Sequence, residues 1–319
     1  MRCAWPFNAR SSGDRDREGN RFPARGAGPD FLCIGAHKAG TTWLYQQLDS
    51  HPDFWMPPVK ELHYFDQLSR VQRAAPPRCR DERDLRFLES IKNLSAEPYI
   101  NLDHYARLFE PKASLLSGDI SPNYSTLSDE VIRRVVGYFP NLKVIFLARD
   151  PVERVWSHLS MEVYYRQIEP FDATNIDEVN RNLSRRGMLL RSYPSAVVAQ
   201  WKRYVDSEQF RVYFFDDLQT NPAELRRSIL RFLGADPNKP SGGTKPHENS
   251  DAGRDKLRLT ANVRDRMARF FEQELKACAL ELGERAKTWP ARYGFSLLLF
   301  LWDMLDDSID LFFWCDWIS

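Results

Sequence analysis

The sequence predicts an α/β fold, a doubly wound and mostly parallel sheet flanked by helices. Three observations carry that prediction. A strand-like apolar run at residues 30–35 leads at once into a glycine-containing turn and an apolar-periodic helix from Thr41 to about Leu48. Further strand patterns at 62–65, 114–118, 143–148 and 211–215 alternate with helical ones. The chain of 319 residues, 43% hydrophobic and 28% charged, is long enough to close one sizeable domain of this class.

The helical patterns lie at 103–109, 129–138, 152–166, 195–205, 223–233 and 261–282. In the third of these, Val152, Val155, Trp156, Leu159 and Val163 recur on one helical face. Asp150, Pro151 and Glu153 stand as N-cap, N1 and N3, so the helix starts there. Arg149 is thereby placed at the carboxyl end of a buried strand, where open α/β sheets bind ligands. Trp43, Trp156 and Trp201 fall on apolar helix faces and read as core.

Residues 1–29, rich in Arg, Gly, Asp and Pro, read as a disordered arm with no apolar signal segment. The enzyme-sized domain is expected at 30–289, with an exposed insert at 70–86 and a Pro- and Gly-containing loop at 236–255. Residues 290–319 read as an amphipathic helical extension with an acidic face of Asp303, Asp306, Asp307 and Asp310, suited to docking on the domain or on a second subunit. Its apolar run is too interrupted to span a bilayer.

With a formal net charge of +1, nothing in the overall balance points to a nucleic-acid or membrane-surface protein, so anion binding must come from a local arrangement of cations. Five scattered cysteines without CxxC spacing indicate reduced thiols and no zinc site, and the location expected is cytoplasmic.

The strongest local signal is Gly35-Ala36-His37-Lys38-Ala39-Gly40-Thr41-Thr42. Glycines five apart between strand and helix let successive N–H groups face one anion, and the helix terminus and two hydroxyls add to the field. A Walker A loop would carry its Lys directly before the hydroxyl residue, but here Lys38 lies inside the loop and Thr41 occupies that place. The second signal is Arg149-Asp150-Pro151 through Ser157, a guanidinium and a hydroxyl bracketing a helix start.

Together these two motifs resemble the 5′-phosphosulfate loop and the 3′-phosphate motif of sulfotransferases that use 3′-phosphoadenosine 5′-phosphosulfate (PAPS). The resemblance covers about residues 30–283 and implies a P-loop NTPase-like fold, PAPS as donor and no metal. It implies donor contacts from Ala36, His37, Lys38, Ala39, Gly40, Thr41, Thr42, Arg149 and Ser157, with Lys38 at the phosphosulfate bridge. The segment Lys60-Glu61-Leu62-His63-Tyr64-Phe65 is similar to one in the heparan sulfate branch and its bacterial relatives, whose Glu removes the acceptor's proton. That implies Glu61 as general base, favoured over His63 two residues on, with Lys60 and His63 near the acceptor. Asp119 and Ser121, in Gly118-Asp119-Ile120-Ser121-Pro122-Asn123-Tyr124, resemble residues at the active-site rim. Arg186-Gly187 resembles a nucleotide contact, and Arg254 and Lys256 fall where relatives carry a basic loop, without its Lys-Gly-Arg form.

The expected reaction is in-line transfer of a sulfuryl group to a hydroxyl or amine of a glycan or small-molecule acceptor, a saccharide first. A P-loop kinase or NTPase, with Asp119 holding magnesium, and a non-catalytic nucleotide- or glycan-binding module are the alternatives.

Overall fold

The computed structural model describes residues 27–66, 79–94, 99–172, 174–239, 257 and 259–297. Strands β1 (Phe31–Gly35), β2 (Gly118–Ile120), β3 (Lys143–Ala148) and β4 (Phe210–Phe214) form one parallel sheet in the order β2-β1-β3-β4. Phe31 through Ile34 and Val144 through Ile145 have no exposed surface. Such unbroken apolar runs are what a parallel strand needs when helices cover both faces.

The crossovers are helical. Helices α1 (Thr41–Asp49), α2 (Glu82–Leu94) and α3 (Leu102–Arg107) lie between β1 and β2, and α4 (Asp129–Tyr138) joins β2 to β3. Helices α5 (Pro151–Tyr164), α6 (Ile176–Leu183), α7 (Arg186–Leu189) and α8 (Pro194–Lys202) separate β3 from β4. After β4 come α9 (Phe215–Thr220), α10 (Pro222–Leu233), α11 (Ala261–Phe270) and α12 (Glu272–Glu281). Because β2 and β3 flank β1 on opposite sides, the winding reverses between β1 and β3. The crevice outside the carboxyl ends of those two strands is the switch point of the sheet. Trp43, Trp156 and Trp201 are buried, as their helical spacing predicts.

Several elements differ from the sequence expectation. Residues 62–65 do not pair as a strand: Leu62, Tyr64 and Phe65 are all buried, the chain turns at 64–66, and the amides of residues 62–64 are bonded to side chains. The strand expected at 114–118 begins only at Gly118, and Leu116 instead makes an isolated bridge to Phe54. Of the exposed insert expected at 70–86, residues 70–78 lie outside the described residues, and 79–86 are mostly exposed but run into α2, whose Asp84 has no exposed surface. That carboxylate accepts from the Arg80 amide and guanidinium and from the Trp55 indole, so a charge-rich segment is anchored by its charges. The single helix expected over 261–282 breaks at Phe271, which turns into the core, so that α11 packs on α5 and α12 on α8. The expected boundary at residue 289 runs through packed structure: Trp289 has no exposed surface, and Arg292 and Tyr293 bond to the domain. Most of the N-terminal arm and residues 298–319, with the acidic face, lie outside the described residues.

Candidate functional site

The anion-binding candidate sits at the switch point. Ala36 and Ala39 point into the core, while Lys38 (φ 64°) and Gly40 (φ 95°) reverse the chain between them. At Gly40 a Cβ would lie 2.6 Å from Leu218 Cδ2, so this left-handed corner admits only glycine. Gly40 is also the N-cap of α1 and offers no side chain to the helix. The first helical bond is Leu44 N–H to the Gly40 carbonyl, so the amides of Thr41 and Thr42 precede the ladder and face out of the helix end. Thr41 is buried and Thr42 exposed.

The loop is tied to the neighbouring strand. The Ala36 amide donates to Leu147 O (2.9 Å), and Arg149 Nη1 donates to Lys38 O (2.7 Å). The Arg149 guanidinium lies over the Phe215 ring at 4.2 Å, and its Nε is buried with no hydrogen-bond partner. On α5, Ser157 is half-buried beside Trp156, whose indole donates to Leu257 O (2.8 Å). That bond anchors the chain just after Arg254 and Lys256, which themselves lie outside the described residues.

Two further arginines stand close by that sequence reasoning missed. Arg154 has no exposed surface, donates to Ser192 Oγ (2.7 Å), and leaves its Nε without a partner. Burial, then the charges of Arg191 and Arg149, pull its pKa down to about 9. Arg191 donates to Asn123 Oδ1 (2.8 Å) and to the carbonyl of Gly187 (2.6 Å), the residue after Arg186 at the start of α7. Among the described residues Arg149, Arg154 and Arg191 form no ion pair. Three guanidiniums that repel one another, two with buried unsatisfied N–H groups, fit a multiply charged anion. The sequence signal for Arg154 was its position inside the Arg149–Ser157 motif, where helical periodicity gave an apolar face and no reason to inspect it.

The second half of the site is the turn after Lys60. Lys60 pairs with Glu61, and Glu61 Oε2 lies 3.5 Å from His63 Nε2. His63 Nδ1 lies 3.0 Å from Asp66 Oδ2, which accepts from Asn123 Nδ2 (2.9 Å). Asn123 Oδ1 in turn accepts from Arg191 and from His37 Nε2 (2.7 Å). A continuous polar chain therefore links Glu61 to the anion loop, through two residues, Asp66 and Asn123, that carried no motif of their own. His37 stacks on His158 with ring centroids 5.6 Å apart, and burial above all lowers its pKa to about 4, leaving it neutral.

Glu61 (φ 65°) and His63 (φ 54°) are both left-handed, a backbone state that costs about 1–3 kcal/mol per residue. What holds them is Asp119, whose carboxylate has 1% exposure. It accepts from Tyr124 (2.6 Å), Tyr105 (3.1 Å) and Ser121 (2.7 Å) hydroxyls and from the Leu62 amide (3.5 Å). Ser121 Oγ then accepts from the His63 amide (3.3 Å), and Tyr124 from the Tyr64 amide (3.1 Å). Asp119 and Ser121 are thus a buried pedestal for the turn, in place of the acceptor contacts expected of them. Four donors occupy the four lone-pair directions of the Asp119 carboxylate, which leaves none for a metal ion. Among the described residues no cluster of His, Cys, Asp and Glu could hold a metal, and no helix is long and apolar enough to cross a membrane.

The electrostatics divide Glu61 from His63. Burial works against the Glu61 charge, but Lys60 and His63 hold its carboxyl far below the usual range. Burial also opposes a charged His63, yet its bonds to Asp66 and Glu61 outweigh that and raise its pKa to about 9. At neutral pH, Glu61 is a carboxylate able to accept a proton and His63 an imidazolium that cannot.

A family model described as "Sulfotransferase family" matches residues 29–238. The human bifunctional heparan sulfate N-deacetylase/N-sulfotransferase 2 is 25% identical over 227 residues, which are 66% of this chain and 22% of that protein. The membrane-associated sulfotransferase kil1 of Dictyostelium discoideum is 30% identical over 149 residues, 44% of this chain and 25% of that one. This chain therefore spans about a quarter or less of these relatives. Among solved structures, a sulfotransferase from Alicyclobacillus acidocaldarius superposes with a TM-score of 0.62 at 21% identity, covering 82% of this chain and 99% of that one. That likeness shows the fold, an α/β sheet of the P-loop NTPase-like kind.

The raised His63 pKa has a consequence for stability. Its ion-pair contribution is fully present below about pH 6.5 and is lost as pH climbs through about 9. The urea stability of wild type minus that of His63→Gln should therefore be largest near pH 6 and shrink steadily towards pH 10. A difference that stays flat across this range would show that His63 is neutral in the fold.

Proposed function

The chain belongs to the sulfotransferase family, and from that premise we propose that it transfers a sulfuryl group from PAPS to a hydroxyl or amine of an acceptor, a saccharide first. The observation that carries this reading is the convergence of Arg149, Arg154 and Arg191, without carboxylate partners among the described residues, on a glycine-cornered loop that is chained to the half-buried Glu61. The family supports PAPS as the donor, and the donor supplies a sulfuryl group already activated by its bond to phosphate.

In this reading the loop amides and Thr41 and Thr42 hold the 5′-phosphosulfate, and Lys38 offsets charge growing on the leaving phosphate oxygen. Arg149 and Ser157 receive the 3′-phosphate, with Arg254 and Lys256 brought to it by the Leu257 anchor. Glu61 takes the acceptor's proton. Because Lys60 and His63 weaken it as a resting base, its proton uptake coincides with formation of the S–O bond, when the acceptor oxygen is most acidic. Lys60 and the His63 imidazolium face the same space and are positioned to orient acceptor oxygens. The saccharide preference draws on the heparan sulfate relative at 25% identity. The kinase reading loses its metal ligand in Asp119, which the two tyrosines and Ser121 already occupy.

Glu61→Gln is expected to lower kcat by about 10²–10⁴-fold with labelled PAPS and a glycan panel, the usual worth of a general base. Binding of adenosine 3′,5′-bisphosphate should be almost unchanged by calorimetry. Retained activity in this variant, with loss in His63→Ala, would transfer the base role to His63.

Arg149→Ala is expected to weaken adenosine 3′,5′-bisphosphate binding about 30-fold or more, from the ~2–5 kcal/mol lost when one partner of a desolvated charge pair is removed. Affinity for adenosine 5′-phosphate should change far less, and Ser157→Ala should follow in the same direction with a smaller loss. Equal losses for both nucleotides would mean that Arg149 serves only the loop, through its bond to the Lys38 carbonyl.

A further inference from the structure

Arg149 is surrounded by acids that it does not touch. The carboxylates that act on it most strongly are Glu153, Asp150 and Asp216. Asp150 follows it in sequence, and Asp216 follows Phe215, the ring on which the guanidinium lies. An arginine in such company ordinarily closes an ion pair, and a closed pair would have little charge left for a ligand.

Each of these carboxylates is held by another group. Asp150 accepts from the Tyr293 hydroxyl (2.9 Å) and the Val152 amide (3.0 Å), and lies 3.5 Å from Arg292 Nη1. Asp216 pairs with Arg292 Nη2 through one oxygen and accepts from the Trp289 indole (3.3 Å) through the other. Glu153 pairs with Arg264 (3.1 Å), whose guanidinium lies 5.3 Å from the Tyr293 ring. Apart from the Val152 amide, every one of these holders lies after residue 238, where the family model's match ends. Trp289 itself is buried against Phe214, the last residue of β4, so the holders are fixed to the strand end beside Arg149.

We propose that Arg292, with Tyr293 and Trp289, is a positioning residue for the donor: it draws the Asp150 and Asp216 carboxylates away from Arg149 and so reserves that guanidinium for the donor's 3′-phosphate. The inference rests on the donor reading above and adds a role for a segment outside the family match. Without Arg292, Asp216 has lost its cation and Arg149 is the neighbouring one. The two close on each other, and the 3′-phosphate must then displace a carboxylate to bind.

The test is calorimetric titration of adenosine 3′,5′-bisphosphate and adenosine 5′-phosphate against wild type, Arg292→Gln, Tyr293→Phe and the double variant Arg292→Gln/Asp216→Asn, with circular dichroism on each. Wild type should prefer the bisphosphate, and Arg292→Gln should cut that preference about tenfold, the scale of one charge-assisted bond redirected. Tyr293→Phe, which removes a single hydroxyl, should cut it less, and it carries the test should Arg292→Gln not fold. Adding Asp216→Asn should restore the preference, because the asparagine still accepts from Trp289 but no longer attracts Arg149. A merely structural role for Arg292 would lower both affinities together and would not be repaired by a second substitution. An undiminished preference in Arg292→Gln and Tyr293→Phe, or a loss that Asp216→Asn leaves in place, overturns the inference alone. A wild type that binds both nucleotides equally overturns the donor reading and this inference with it.

Discussion

A carboxylate with almost no exposed surface needs a donor for each of its lone pairs, and Asp119 has them in Tyr105, Tyr124, Ser121 and the Leu62 amide. This constraint organises the turn that carries Glu61 and His63. The same hydroxyls that satisfy Asp119 accept the amides of His63 and Tyr64, so three consecutive N–H groups of the turn end on one buried cluster. The turn can then keep Glu61 and His63 in left-handed conformations that an isolated segment would abandon. Burial raises the pKa of Asp119 and of both tyrosines, which keeps the phenols protonated as donors.

Around Arg149 the organising principle is an imbalance of charge. Surface acids and bases of this chain are widely paired, for example Arg227 with Glu224 and Lys202 with Glu281. At the switch point, among the described residues, Arg149, Arg154 and Arg191 have no carboxylate partner, and nearby acids are held elsewhere. Mutual repulsion and burial make that arrangement costly until an anion arrives. The polar chain from His37 through Asn123 to Asp66 links this region to the turn that carries Glu61 and His63.

Much of the site was legible because its logic is local. Glycines at 35 and 40 between a strand and a helix, the Asp150 N-cap with Pro151, and Arg149 at a strand end are each set by neighbours in the chain, and each stands where it was expected. The 62–65 segment was misread for an instructive reason. A short apolar run can bond its amides to a neighbouring strand or to side chains, and only the partners, 57 to 60 residues away, decide which. Asp119 was expected just after a strand; it lies inside β2, and only the distant tyrosines that meet its carboxylate reveal that.

By itself, then, the sequence determined the parallel α/β class, strands β1, β3 and β4, the glycine turn after β1 and the helix start after Arg149, because hydrophobic periodicity, capping and glycine conformations act over a few residues. Only the tertiary structure decided which charges are paired. Asp66 and Asn123 joined the site, Asp119 and Ser121 withdrew beneath it, and Arg292 and Tyr293 came to the side of Asp150 from 142 and 143 residues away. Ion pairs and buried hydrogen bonds depend on distance and desolvation in three dimensions, and neither is written in the spacing of residues along a chain.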